Sequence, residues 1–357
     1  MRIMQNKAPS RNGYIDVIKF IFAVIILDFH INTGLFPGGR LAVEGFFMIS
    51  GYLMMKTLQK NRFPEDSLGQ STIRFLGNKF KGLLPYILPS SLLGYVIVCL
   101  LYSRGISASL KRLPLLIFDI IPLRTAGFRG EYVLGISWYL ASMFIALAVL
   151  YPLCKRYADK FVLTVCPLMA VLFYGVLSHF YGHLAVGTDF IENTLVNTGV
   201  LRALGATALG CLIYEIEDRT RGKEVTLRGK ILFTLLELVG VIFLLCDMHF
   251  LPKSEYDYVA VFVMFGVLTV GISGISFSSS IFGGRWTKPL GTGSFLIVLN
   301  HYLLNSYCIK LWGSGYIFTE KKWFYFAGVA ASCAIVWLSA KLIIYLMNKA
   351  AKIKLFK

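Results

Sequence analysis

The sequence predicts an all-α, polytopic membrane protein with about ten transmembrane helices and both termini in the cytoplasm. Three observations carry this prediction. Of 357 residues, 56% are hydrophobic and only 15% are charged, against roughly a quarter charged in soluble domains. The mean hydropathy is +0.67, and windows of about 20 apolar residues recur along the whole chain, the length needed to cross a bilayer. The formal net charge of +17 sits in short stretches between these windows. That distribution fits topological bias and contact with anionic lipid, and argues against a nucleic-acid partner.

The expected spans fall near 14–34, 41–59, 82–103, 134–154, 161–180, 195–215, 230–248, 257–277, 290–311 and 324–348. The chain therefore reads as one transmembrane domain, 1–357, with no appended soluble domain. The segment 113–123 is apolar but too short to cross, which makes it a re-entrant or interfacial piece of the longest connection. The basic start Arg2, Lys7 and Arg11 precedes an apolar run interrupted by charges and lacking a small-residue cleavage site. It is read as the flank of an uncleaved first helix. With the N-terminus inside, the cytoplasmic segments hold 23 Lys and Arg and the opposite side 9, as the positive-inside rule requires. The group between 56 and 81 is the largest of the cytoplasmic sets and is read as a loop.

Seven cysteines, at 99, 154, 166, 211, 246, 308 and 333, lie within or at the ends of apolar windows. Their spacing gives no disulfide framework and no metal or redox pair, so they read as small packing residues. His179 and His183 are four residues apart, but no further ligand pattern accompanies them, and no metal site is expected.

The first two windows carry the chemistry. Asp16, Lys19, Asp28 and His30 lie in an apolar helix, where ionisable groups are costly and usually face a protein interior or a wet cavity. Lys19 and His30, eleven residues apart, share one face at roughly 16 Å. Asp16 can reach Lys19 as an i,i+3 partner, whereas Asp28 points the other way and reads as an interfacial charge. The second window opens with Glu44, where an acid also complements the helix dipole, and continues through Ser50, Gly51 and Tyr52.

This pattern resembles the acyltransferase type three family of integral-membrane acyl transferases. The residues that carry the likeness are Lys19, ten positions, then His30, followed by Ala42-Val43-Glu44-Gly45-Phe46-Phe47-Met48-Ile49-Ser50-Gly51-Tyr52. Weaker matches follow in order to about residue 305. Lys79 stands for the first of a pair of arginines before the third helix. Gly82 occupies the place of the second, with Lys81 beside it; this is a departure, since lysine and arginine bind phosphate differently. Gly135-Ile136-Ser137-Trp138-Tyr139-Leu140 matches the opening of the fourth helix and Pro152 its closing proline. Arg202 with Gly205 and Gly210, and Leu290-Gly291-Thr292-Gly293-Ser294-Phe295 ending in Asn300-His301, match later blocks.

The resemblance implies transfer of an acyl group, often acetyl, from a coenzyme A thioester to a hydroxyl of a surface or lipid-linked carbohydrate, in a bacterial plasma membrane. Acyl-CoA would be a co-substrate, with no permanently bound cofactor. His30 is the expected base, because a buried neutral imidazole can accept a hydroxyl proton; its alternative is a hydrogen-bonded packing role. Lys19 would support the donor side, unless Asp16 simply neutralises it. Glu44, Ser50, Tyr52, Trp138, Arg202 and His301 are the expected substrate contacts. Glu44 would orient His30 or bind acceptor hydroxyls, and Arg202 would pair with Asp28 or Glu44 or face the acceptor. Ser50 as an acyl carrier has no evident base, and with Gly51 it equally fits small-residue packing. Arg74, Lys79 and Lys81 would meet the donor's phosphates. The rival class is a transporter or flippase for lipid-linked sugars, whose intramembrane charges would bind substrate or relay protons. A family member without activity, acting as a sensor, is a third reading. Oligomeric state has no signature in the sequence.

Overall fold

The computed structural model describes residues 12–60, 66–102, 105–128, 130–305, 308 and 321–355. The basic start at Arg2, Lys7 and Arg11, and the end of the expected ninth span to 311, lie outside these residues. The described chain is helical, and its one β feature is an isolated antiparallel bridge between Phe190 and Asn197.

Helix α1 (Gly13–Ile31) begins where the Asn12 side chain accepts from the Tyr14 amide at 3.1 Å and ends at Asn32, in the left-handed region with φ 57°. Asp28 corrects its expected role as an interfacial charge. It is buried, accepts from the Phe36 amide at 2.8 Å and from the Thr33 hydroxyl, and so fixes the turn after α1. A 3-10 turn, Gly39–Leu41, leads into α2 (Ala42–Gln59).

Helix α3 (Leu68–Leu101) starts well before the window expected from 82, so residues 68–81 are helix and not the loop that their charges suggest. The Ser67 hydroxyl accepts from the Gln70 amide, and the Gln70 side chain accepts from the Ser67 amide. This reciprocal cap satisfies two otherwise orphaned donors and lets polar residues begin a helix. At 34 residues α3 is about 51 Å long, beyond the roughly 30 Å hydrocarbon core, so one end projects with its basic residues.

The long connection contains α4 (Ile106–Arg112) and α5 (Ile117–Ile120), neither long enough to cross. Helix α6 (Ser137–Lys160) runs through a π-turn, Phe161–Val165, into α7 (Cys166–Tyr181). Ala158 breaks this run with φ 47° and ψ −134°, where the two expected windows 134–154 and 161–180 separate. Then follow α8 (Thr198–Thr220), α9 (Leu227–Phe250), α10 (Asp257–Ser273), α11 (Ser278–Ile281), α12 (Lys288–Asn300) and α13 (Lys322–Leu355).

Among the described residues, six stretches are long and apolar enough to cross a membrane: Gly39–Gln59, Leu68–Leu101, Ser137–Tyr181, Thr198–Thr220, Leu227–Phe250 and Lys322–Ala350. A helix also lies on each of the other expected windows. However, α1 carries Asp16, Lys19 and Asp28, α10 has 17 residues and α12 has 13. Helices α2 and α8 form the centre, packed on each other and flanked by α6, α7 and α10, while α1 packs on α12 and α3 on α13. Glycine permits the central approach: a Cβ on Gly210 would run into the Met48 carbonyl, and one on Gly51 into that of Thr207. By contrast α9 exposes Leu232, Leu235, Leu236, Val239 and Ile242, the all-apolar surface a lipid-facing helix presents.

Candidate functional site

The last turn of α1 places His30 against the end of α12. The ring centroids of His30 and His301 are 4.7 Å apart, and Tyr302 stands edge-on to His30 at 5.2 Å. His301 is buried. Its Nδ1 lies 2.7 Å from the Val298 carbonyl oxygen, and its Nε2 is buried without a hydrogen-bond partner among the described residues. The Tyr325 hydroxyl donates to the His301 carbonyl, which ties this position to α13.

On the other side of His30, the start of α2 meets α7 and α8. Glu44 is fully buried: one carboxylate oxygen accepts from Arg202 Nε at 2.6 Å and the other from the Tyr174 hydroxyl. Of the partners expected for Arg202, the structure selects Glu44. The guanidinium also donates from Nη1 to the Val186 carbonyl at 2.5 Å and lies 5.3 Å from the Trp138 ring. A second buried pair is parallel to this one. Arg40 Nη2 meets the Asp257 carboxylate at 2.7 and 2.6 Å, Arg40 Nη1 donates to the Pro252 carbonyl, and Asp257 also accepts from the Leu184 amide at 2.8 Å. Together the two pairs pin the segment 184–189. Each charge is desolvated, and each is matched by an opposite charge and hydrogen bonds, the condition under which buried ions are tolerated.

These groups enclose two cavities. One, about 210 Å³, is lined by His30, Arg40, Trp138 and Arg202 with the 184–189 segment, including Thr188 and Asp189. The other, about 40 Å³, is lined by His30, His301, Trp138, Tyr139, Phe46 and Val298. His30 and Trp138 line both. Gly187 keeps Trp138 in place, since a Cβ there would come within 3.0 Å of the indole.

The remaining expected residues lie elsewhere. Ser50 is buried nearly two turns beyond Glu44 in α2 and donates to Met143 Sδ at 3.4 Å; Tyr52 packs on Tyr214, with its hydroxyl 3.5 Å from Lys56 Nζ. Neither lines a cavity that holds His30. Lys79 on α3 stands within electrostatic range of Lys19 on α1. Arg74 and Lys81 turn to another face, where they line an open depression of about 450 Å³ with Asp66, Gln70 and Asn78. Arg74 pairs with Asp66 at 3.1 Å. The expected single basic patch is thus split between two faces of α3. At Gly82 a Cβ would meet nothing within 4 Å, so no side chain fills the place of the absent second basic residue.

Sequence reading missed Tyr174, Arg40, Asp257, Tyr302 and the carbonyls of Val186 and Val298. Buried charges at Arg40 and Asp257 were a usable signal; a phenol in an apolar helix and a backbone carbonyl carry none. It also missed that Cys154 and Cys211, 57 positions apart, bring their sulfurs to 4.0 Å.

A bundle of apolar helices with desolvated charge pairs and a histidine pair around internal cavities defines an integral membrane protein built for chemistry or transport within its own interior. The family comparison decides between these. The model of a family described as an acyltransferase domain matches residues 12–341, nearly the whole chain, and the chain belongs to the acyltransferase type three family. It is a membrane acyltransferase by family. No curated protein and no solved structure matches it.

Proposed function

We propose that this protein moves an acyl group, acetyl in the simplest case, from a coenzyme A thioester to a hydroxyl of a cell-surface or lipid-linked carbohydrate. We place it in a bacterial plasma membrane, with ten crossings and both termini in the cytoplasm. The observation that carries the reading is the position of His30, which lines both cavities while Trp138 and Arg202 flank the larger one. An indole face beside polar groups suits a sugar ring, and the Thr188 and Asp189 side chains offer hydroxyl partners.

The acceptor oxygen attacks the thioester carbonyl carbon, a C–O bond forms and the C–S bond breaks. His30 takes the acceptor's proton and returns it to the departing sulfur, so that hydroxyl and thioester become ester and free thiol. The donor's phosphates meet the basic side of α3 at Lys79, with Lys19 on α1 close enough for its charge to act there as well. Arg74 and Lys81 supply a second cationic surface nearby. The donor's flexible arm then covers the roughly 16 Å between Lys19 and His30.

The test is transfer of labelled acetyl from acetyl-CoA to membrane glycans, comparing wild type with equally expressed His30→Ala. A loss of about 100-fold or more is expected for removal of a general base. Robust transfer that survives the substitution removes His30 from the mechanism. No transfer by the wild type, with a range of acyl-CoA donors and intact membranes, argues for the transport class instead.

A further inference from the structure

A histidine base works best when its second ring nitrogen is held by a partner that fixes tautomer and orientation. A carboxylate usually does this, but here the two buried carboxylates of α1 and α2, Asp28 and Glu44, are committed. Both oxygens of Glu44 are taken by Arg202 and Tyr174, and both of Asp28 by Thr33 and the Phe36 amide. The ring that faces His30 belongs to His301. Its Nδ1 lies against a carbonyl, which can only accept, so Nδ1 carries the proton and the neutral ring presents a bare lone pair at Nε2. That nitrogen is buried and unpartnered among the described residues, a costly state unless a donor comes to it. A centroid separation of 4.7 Å lies slightly inside the roughly 5 Å that a ring-to-ring hydrogen bond spans, so a small reorientation of His30 makes the contact. Such catalytic hydrogen bonds are often open in the unliganded state.

We infer that His301 is a positioning residue: its Nε2 accepts a hydrogen bond from one ring nitrogen of His30, so that the other ring nitrogen of His30 faces the 210 Å³ cavity with its lone pair free. This rests on the acyl-transfer reading with His30 as base, and it moves His301 from the expected substrate contacts to the group behind the base. The cavities agree with it, since His301 lines only the small one and His30 lies between it and the larger. Tyr325 holds the His301 backbone carbonyl and the Val298 carbonyl holds its ring, giving the rigid support that an orienting group needs.

Two substitutions separate positioning from packing. His301→Asn keeps a donor for the Val298 carbonyl but offers no acceptor where Nε2 stood. His301→Gln reaches the Nε2 position with an acceptor oxygen. The chain has five histidines, so 15N-histidine spectra of the full-length protein in lipid nanodiscs report each tautomer, with His30→Ala assigning that signal. His30 is expected as one tautomer in wild type and His301→Gln, and as a mixture in His301→Asn. Acetyl transfer is expected to follow: kcat falls on the order of 10- to 100-fold in His301→Asn with KM for acetyl-CoA nearly unchanged, and recovers in His301→Gln. A His30 tautomer indifferent to both substitutions, or an asparagine variant more active than the glutamine one, overturns the inference. Should no version transfer acetyl, the loss falls on the acyl-transfer reading, and the tautomer spectra still decide the pairing.

Discussion

Arg202 carries the densest set of contacts in the site: a carboxylate, a backbone carbonyl and an indole face, all desolvated. Removing one partner of such a pair leaves a buried charge without compensation, which costs about 3–5 kcal/mol. Arg202→Met is therefore expected to lower the unfolding midpoint of the purified protein sharply. Arg202→Lys should recover only part, because an ammonium cannot hold Glu44 and Val186 in the planar fork that a guanidinium provides. A thermal scan in detergent checks both, and a lysine variant as stable as wild type would mean that charge alone matters there. Outside the spans, Asp119 on α5 gives a pH signature. Burial pushes its carboxyl up to about 7, against the opposing hydrogen bonds from the Leu134 amide, Ser91 and Ser137 and the charge of Arg124. A carboxyl that holds its proton more tightly when folded contributes stability that is complete below its unfolded pKa near 4 and lost as pH rises through 7. Wild type should thus lose midpoint between about pH 4 and 7 relative to Asp119→Asn, and parallel curves would refute it. At this scale the sequence was legible where a charge interrupts an apolar helix, as at His30, Glu44 and Arg202. Tyr174 and the two carbonyls escaped because nothing in their local sequence distinguishes them from packing.

At the level of elements, contact between α2 and α8 depends on two glycines whose added Cβ would strike the facing backbone. Backbone cannot rotate away as a side chain can, so overpacking of about 1–3 kcal/mol is expected for Gly210→Ala. Gly82→Arg meets open space and should leave the midpoint unchanged while restoring a second basic residue on α3; under the proposed function it lowers KM for acyl-CoA without raising kcat, as uniform binding does. Equal destabilisation by the two substitutions would contradict the packing argument. The small residues of α8 were visible in the sequence, but their partner helix was not, because a stripe of glycine and alanine says only that something comes close. The start of α3 was misread for a different reason. Charges at 74, 79 and 81 suggest a loop, although Ser67 and Gln70 stand at the spacing of a reciprocal helix cap. Topological bias describes which side a charge lies on, and it is silent about whether the backbone beneath it is helical.

At the scale of the molecule, a helix lies at every expected window, yet among the described residues six stretches satisfy length and apolarity together. The exceptions are informative. Helix α1 fails on charge because it carries part of the candidate site, and α10 fails on length, its 17 residues rising about 26 Å against a core of roughly 30 Å. A short helix can still cross where the bilayer thins or where its neighbours bury its ends, and Asp257 at the start of α10 is buried against Arg40. Crossing and orientation can be read together from single cysteines in a background without reactive thiols, labelled by a membrane-impermeant maleimide. Lys253→Cys, between α9 and α10, is expected to react in intact cells. Lys223→Cys, between α8 and α9, and Arg285→Cys, after α10, are expected to react only after permeabilisation. Opposite sides for 223 and 253 require α9 to cross, and opposite sides for 253 and 285 require the same of α10. If 285 labels with 253, then α10 enters and leaves by one face, the count of crossings falls, and the C-terminal basic residues move to the side that the 23-to-9 charge bias disfavours.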